Sequence, residues 1–287
     1  MMRVGLLVAT NFAVLIVAGI IMSLLGLDKA STTGLLIFCA LFGFGGSFIS
    51  LAMSKSIAKR SSGTQLITSP QNEGERWLLE RVERLSEQAG IGMPEVGIFD
   101  SPQPNAFATG MKRNNALVAV STGLLTNFPK NEVEAVLAHE IGHVANGDMV
   151  TLSLIQGITN TFVLFFSFIA AQIVAGASKN RAMGSLGAIV TRIFFQIIFG
   201  FLASLIVMWF SRRREFRADE MGARLTTPNA MANALERLKN PVPVGPGQQL
   251  PENMKALGIS PGFKARLGGW LSTHPPLDDR IAALRGG

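Results

Sequence analysis

His139 and His143 are two of only three histidines in the chain, and they frame the run His139-Glu140-Ile141-Gly142-His143. On an α-helix, residues i and i+4 lie on one face about 6 Å apart. Two imidazoles so placed can share one metal ion, and Glu140 stands where its carboxylate reaches a water on that metal. The H-E-x-x-H pattern therefore points to zinc-assisted hydrolysis of a peptide bond. A chance occurrence is on the order of one in a thousand chains of this size. That rarity weighs against the plainer reading, an amphipathic helix whose histidines are ordinary polar residues.

The motif requires a helix, and the flanking residues supply one. Val133, Val136, Leu137, Ile141 and Val144 recur at helical spacing across residues 131–146. Asn131 followed by Glu134 predicts a capping box, and Asn146-Gly147 predicts the stop.

A catalytic zinc usually takes three protein ligands and leaves one position for water. A metzincin would carry a third histidine at position 149, which is Met149, so that class is excluded. If a glutamate further along supplies the third ligand, the choice is narrow, because no Asp or Glu lies between Asp148 and Glu215. Asp148 falls just past the expected stop, facing away from a well-aimed approach, which leaves Glu215. Asp219 follows one helical turn later, where it could accept the free N–H of a ligand histidine. Equally, Glu215 paired with Arg212 or Arg214, and Asp219 with Arg217 or Arg224, would make an ordinary exposed acid–base helix. Spacing alone leaves both readings open.

The elements around the motif are set by an apolar composition. Mean hydropathy is +0.35 and 16% of residues are charged, against about 25% in an average globular chain. Four apolar stretches carry the excess. Residues 4–27 contain no charge and are long enough to span a bilayer. They read as a retained anchor, since they are too long for a signal peptide and no clear cleavage site follows. Residues 33–53 form a second span, with Gly43, Gly45 and Gly46 permitting close helix contact, and residues 28–31 make the turn between the two. Residues 151–177 carry Gln156, Thr159, Asn160 and Gln172, and residues 187–210 carry Arg192 and Gln196. These polar groups need a bundle interior or a cavity, but length favours spanning over burial.

The net charge of +7 does not imply nucleic acid, because Lys55, Lys59, Arg60 and Arg212 to Arg214 cluster beside apolar runs. Such charge faces anionic lipid and sets topology. With Arg3 ahead of the first span, it places both ends of the first hairpin and the end of the fourth span in the cytoplasm. Lys179 and Arg181 weigh mildly against this. Cys39 is the only cysteine, so neither an intrachain disulfide nor a cysteine zinc site is available.

The expected layout is a transmembrane hairpin (1–54), a polar region with the histidine helix (55–149), a second membrane hairpin (150–210) and a second polar region (211–287). The first polar region reads as a helix at 73–88, strands at 95–99 and 116–121, then the histidine helix. The second reads as a helix continuing from the fourth span, a helix at 229–239, a Pro/Gly loop at 240–251 and a closing helix at 277–284. Neither region is large enough alone, so they are expected to pack together. The fold class is a mainly α membrane protein with about four transmembrane helices and a cytoplasmic α+β zincin-like metalloprotease domain. The polar flanks Lys130, Asn131, Glu132, Glu134, Asn146 and Asp148 place the motif at the membrane surface rather than at membrane depth.

Over essentially its full length the chain resembles the HtpX family of bacterial membrane zinc metalloproteases, and more distantly it is similar to the CAAX prenyl proteases of eukaryotes. The resemblance is carried by residues 139–143, by Ser211-Arg212-Arg213-Arg214-Glu215-Phe216-Arg217-Ala218-Asp219, by Ser272-Thr273-His274-Pro275-Pro276 and by Pro104-Asn105-Ala106-Phe107-Ala108. It implies that Glu215 joins His139 and His143 around one Zn2+ per chain, with Asp219 supporting a ligand histidine and Glu140 as general base. It makes His274 a candidate to stabilise the oxyanion. Asn105, Ala106, Phe107 and Ala108 would border the cleft, pairing with an extended substrate by strand addition. The implied function is a membrane-bound zinc endopeptidase that degrades damaged or misfolded membrane proteins in stress quality control. Its implied place is the bacterial cell inner membrane, with the active site facing the cytoplasm. The implied partners are membrane protein substrates and the lipid bilayer, with no nucleic acid; the oligomeric state is not legible in the sequence. The alternatives are a specific CAAX-like C-terminal processing protease, for which four membrane helices are few to enclose a chamber, and a non-catalytic zinc-stabilised membrane scaffold, which would have no need of Glu140.

Overall fold

The structure is a computed structural model that describes residues 20, 31–177, 181–239 and 274–286. The first apolar stretch (apart from Ile20), residues 28–30 of the turn, the Pro/Gly loop and Ser272-Thr273 lie outside the described residues. In chain order the elements are α1 (Thr32–Ser62), β1 (Gln65–Leu66), α2 (Glu73–Gln88), β2 (Glu95–Phe99), β3 (Ala106–Lys112), β4 (Asn115–Ser121), α3 (Thr122–Asn127), α4 (Lys130–Asn146), α5 (Asp148–Ala177), α6 (Arg181–Leu225), α7 (Pro228–Lys239) and α8 (Leu277–Arg285). The chain divides into two compact units. One holds the residues up to Ser50 together with Thr151–Val207, and the other holds Leu51–Val150 together with the residues from Met208 on.

The first unit is helical. Among the described residues three helices, α1, α5 and α6, are long and apolar enough to cross a membrane. Leu35, Phe38 and Cys39 of α1 pack against Leu164, Phe165, Phe168 and Ile169 of α5. The two helices touch at glycines: a side chain on Gly43 would lie 2.5 Å from Thr161 Oγ1, and one on Gly157 would lie 2.7 Å from the Phe44 ring. Small residues at a membrane helix contact let the backbones approach and maximise van der Waals packing. Several polar residues of α5 are satisfied locally, while Gln172 is exposed. The Gln156 amide donates to Asn160 Oδ1 at 2.9 Å, and the hydroxyls of Thr159 and Thr161 donate to carbonyls one turn back. Arg192 of α6 lies over the Phe168 ring, 5.2 Å from its centroid. Ile193, Phe194, Ile197, Phe201 and Leu202 of α6 are exposed, as side chains solvated by lipid are.

The second unit carries both polar regions. Its sheet has the order β1-β2-β4-β3, with β2 parallel to β4 and the other pairs antiparallel, so β3 is an edge strand. Strand alternation sorts β4 between two cores. Leu117 and Ala119 join Phe99, Phe107 and Ala58 on one face. Ala116, Val118 and Val120 join the main core of α2, α4 and α7 on the other. Helix α2 is capped by Asn72, whose Oδ1 accepts from the Glu75 N–H at 2.8 Å. It buries Leu78, Val82 and Leu85 along one stripe. The end of α1 is tied to the sheet by Lys55 and Lys59, whose amines donate to the Glu95 carboxylate at 3.0 and 3.2 Å.

Most sequence boundaries match to within a residue or two. The end of α1 does not, running on to Ser62. The start of α4 matches, at Lys130 behind Pro129, but it has no side-chain cap, so the expected Asn131–Glu134 capping box is absent. Glu134 instead pairs with Arg81 and Arg84 of α2. The expected stop is present, with Gly147 in the left-handed region at φ 68°.

Candidate metal centre

Helix α4 is buried almost throughout because it lies between the sheet and α7, so its histidines sit in a protein interior. His139, Glu140 and His143 are all buried, with the two imidazole centroids 4.7 Å apart on one face. The second ligand-bearing element is the polar end of α6, which crosses α4 at a place without bulk. A side chain on Gly142 would meet Met221 Cβ at 3.1 Å and the Ala218 carbonyl at 3.4 Å. On Gly222 it would meet the Met231 sulfur at 2.9 Å and the His139 amide nitrogen at 3.4 Å.

This close crossing delivers Glu215 to the histidines. Its carboxylate is buried, 3.8 Å from His139 Nε2 and 3.5 Å from His143 Nε2. Ligand atoms of His139, His143 and Glu215 lie within 4.8 Å of one another, a grouping that could hold a metal ion. The exposed acid–base helix is thereby corrected for this face, since Glu215 and Asp219 are both buried.

The other ring nitrogens each face an aspartate. His139 Nδ1 stands 2.9 Å from Asp219 Oδ1, the position foreseen for Asp219. His143 Nδ1 bonds to Asp148 Oδ2 at 2.7 Å. The expectation that Asp148 faces away is therefore wrong. It is the first residue of α5, and the sharp turn at Gly147 folds it back into the interior beside His143. An aspartate beside each Nδ1 leaves both Nε2 atoms on the side of Glu215, the arrangement found around metal-ligating histidines.

Two further residues close the site. His274 Nδ1 is 2.9 Å from Glu215 Oε2, so the third histidine reaches the same carboxylate. Arg280, on α8, is fully buried and grips Asp219 with two nitrogens at 2.7 and 2.6 Å, while its remaining nitrogen lies 3.3 Å from Glu215 Oε2. Sequence reading passed over Arg280. The signal was there: at helical spacing it shares a stripe with Leu277 and Leu284, which pack on the main core, and a charge on an apolar stripe requires a buried partner.

The electrostatics suit a cation. Burial alone raises the Glu215 carboxyl, but His274 and His143 outweigh it and hold the group well below the usual range. Burial likewise works against Asp219's charge, and Arg280 with His139 overcomes it. Burial pushes the His143 ring down, yet Asp148, Glu215 and Glu140 lift it to about 9. The buried carboxylates are thus held in the ionised form that metal ligation requires. Two imidazoles and a carboxylate, with an aspartate beside each Nδ1, fit a catalytic zinc site that keeps a position open.

Of the predicted cleft residues, Ala106, Phe107 and Ala108 lie on the edge strand β3, which packs along α4. All three are buried, as is Asn105. The Asn105 backbone N–H donates to Ser121 Oγ at 2.8 Å, and its Oδ1 accepts from the Ala106 N–H at 3.0 Å. Its side chain thus turns onto the start of its own strand.

Comparison with known proteins agrees with this geometry. Residues 72–287 match the model of Peptidase family M48. The chain is 57% identical to Protease HtpX of Ectopseudomonas mendocina (strain ymp) over 99% of both chains, and 55% identical to Protease HtpX of Pseudomonas aeruginosa (strain LESB58) over the same shares. The fold is similar to that of the crystal structure of S. mikatae Ste24p, with a TM-score of 0.65 at 18% identity, covering 98% of this chain and 64% of that one. A family match that takes in both ligand-bearing helices, and relatives alike from end to end, show that this protein belongs to peptidase family M48 as a membrane metalloprotease of the HtpX kind.

Proposed function

We propose that the protein is a zinc endopeptidase that cuts damaged or misfolded membrane proteins at the cytoplasmic face of the bacterial inner membrane. The observation that carries this reading is the convergence of His139, His143 and Glu215 on two helices, one of which, α6, is a single helix that also carries an apolar span. A substrate embedded in the same bilayer would meet such a site with little reach.

His139 and His143, through Nε2, and the Glu215 carboxylate would hold one zinc ion per chain. Zinc bound there supplies Lewis acidity, lowering the pKa of water toward about 7 and polarising the scissile carbonyl. Glu140, buried beside His139 and not among the grouped ligands, takes the proton of the attacking water and returns it to the departing amine. Asp219 and Asp148 keep the two ligand imidazoles in the required tautomer. His274, within reach of the same carboxylate, would donate to the oxyanion once substrate is bound. The edge position of β3 gives an extended peptide a strand to pair with, and Ala106, Phe107 and Ala108 would set its register.

Wild type and Glu140→Gln, each reconstituted with zinc in vesicles, would be compared on an unfolded membrane protein substrate. Wild type is expected to cut it, and the variant to keep its zinc and lose activity about 10²- to 10⁴-fold. Equal activity in the two would refute the assignment. Cutting confined to one defined C-terminal site would favour a processing enzyme over quality control.

A further inference from the structure

Each ligand imidazole heads a chain of the same composition. His139 leads to Asp219 and then Arg280. His143 leads to Asp148 and then Arg217, whose guanidinium is 3.3 Å from Asp148 Oδ1. The two chains differ at their ends. The Arg280 side chain is 0% exposed and makes a two-point contact with its aspartate. The Arg217 side chain is 53% exposed and makes a single contact. Arg280 also lies against Glu215, so among the described residues it alone bridges a metal ligand and the partner of another ligand. Arg214 is near Glu215 as well, but its Nε stands 3.8 Å away.

We infer that Arg280 is a positioning residue for the metal, holding Asp219 against His139 and Glu215 against the metal position, and that it sets metal affinity where its counterpart Arg217 does not. Asp219 and Glu215 are buried carboxylates that both contact the same guanidinium. Without a cation between them they repel in a medium of low effective dielectric and turn apart. Asp219 then ceases to orient the His139 ring, and Glu215 loses a contact that aims it. A lysine supplies the charge but not the planar fork, so it can satisfy one carboxylate at a time. Arg217 faces water, which screens its charge and can replace its hydrogen bond.

The inference rests on the metal reading of the site, and the experiment separates the two. Full-length wild type, Arg280→Gln, Arg280→Lys and Arg217→Gln are purified in detergent, checked for fold by circular dichroism and melting, stripped, and titrated with zinc against a chromophoric chelator. If wild type takes up no zinc, the metal reading itself fails. Given zinc binding by wild type, Arg280→Gln is expected to bind about 10- to 100-fold more weakly, Arg280→Lys about 3- to 10-fold more weakly, and Arg217→Gln within about twofold of wild type. A folded Arg280→Gln with wild-type zinc affinity and only a lowered melting temperature would show a purely structural arginine and overturn the proposal. An Arg217→Gln loss as large as that of Arg280→Gln would overturn the distinction drawn between them. Should Arg280→Gln not fold, Arg280→Lys decides, and parity of that variant with wild type overturns the proposal.

Discussion

Alanine should be tolerated at Gly222 and destabilising at Gly142, although both glycines lie in helices at the same crossing. In a helix interior, Gly→Ala gains about 1 kcal/mol of propensity. What decides the sign is the neighbour each new methyl meets. At Gly222 the tight contact is the Met231 sulfur at 2.9 Å, and the backbone neighbours stand at 3.4 and 3.5 Å, ordinary contact distances. A thioether is the adaptable part of a flexible side chain and can swing aside. At Gly142 the contact is Met221 Cβ at 3.1 Å. That atom is fixed to the α6 backbone and can retreat only if the helix does. Overpacking of this kind costs about 1–3 kcal/mol, so Gly142→Ala comes out destabilising by up to about 2 kcal/mol, whereas Gly222→Ala is neutral or stabilising by up to about 1 kcal/mol. At about 2–4 °C per kcal/mol for a domain of this size, the melting temperatures should move apart by several degrees. The metal should report the same event. A shift of α6 by a few tenths of an ångström carries Glu215 with it, and metal–ligand distances tolerate about 0.2 Å. Gly142→Ala should therefore also weaken zinc binding in a chelator competition, while Gly222→Ala should not. Stabilisation by both substitutions, or unchanged zinc affinity in Gly142→Ala, would refute the argument that the crossing distance sets the site.

Asp148→Asn should weaken zinc binding about 10- to 100-fold by the same chelator assay, because the amide can offer its N–H to the ring and leave His143 in the wrong tautomer. Gly43→Leu should disrupt the packing of α1 on α5, since even its first carbon would lie 2.5 Å from Thr161 Oγ1 and 2.8 Å from a backbone nitrogen; a protease-sensitivity assay in detergent should show faster cleavage than in wild type. Burial works to raise the Glu95 carboxyl, but Lys55 and Lys59 outweigh it and hold the group below its usual value. Its folded pKa is thus depressed, so its stabilisation is present above the unfolded value of about 4.3 and is lost as pH falls through the folded pKa. With the side chain 39% exposed, solvent screening limits the effect to a few tenths of a kcal/mol. The melting-temperature difference between wild type and Glu95→Gln should be small at neutral pH and vanish toward pH 3.

The parts of this site that were legible in the sequence are those whose geometry is local. His139 and His143 are bound together by a four-residue helical spacing, and Gly147 announces the end of their helix. Glu215 was reachable only because no carboxylate lies between it and Asp148, and the resemblance, not the spacing, chose it over an exposed acid–base helix. The long apolar stretches gave three helices that could cross a membrane, because span length is a property of composition alone. Strand β1 and helix α3 went unseen. The first is two residues long and exists by pairing with β2. The second is a single short helix started by Ser121, whose hydroxyl accepts from the Leu124 N–H.

Of the residues supporting the ligands, Asp148 was misread and Arg280 passed over for a different physical reason. A ligand is recognisable by type and spacing, since few side chains hold zinc, whereas its supporter can be any acid that the fold returns to the right nitrogen. Asp148 and Asp219 make the contrast. Asp219 lies one turn from Glu215 on the same helix, so once the resemblance makes Glu215 a ligand, helical geometry puts Asp219 near the same site. Asp148 lies at the start of a new helix, and which way it faces depends on the φ of 68° at Gly147, a turn whose presence the sequence announces but whose exit direction it does not. Arg280 adds a third level. It is 61 residues from Asp219 in the chain, yet its burial could have been inferred without knowing its partner, because Leu277 and Leu284 place it on the apolar side of its own helix. A buried arginine must be paired, and in a chain whose acids are absent from residues 149–214 the candidates for that pairing are few. Periodicity thus identifies a charge that must have a partner, and the spacing of the remaining acids narrows what that partner can be. Only the closure of α8 onto the site selects Asp219 among them.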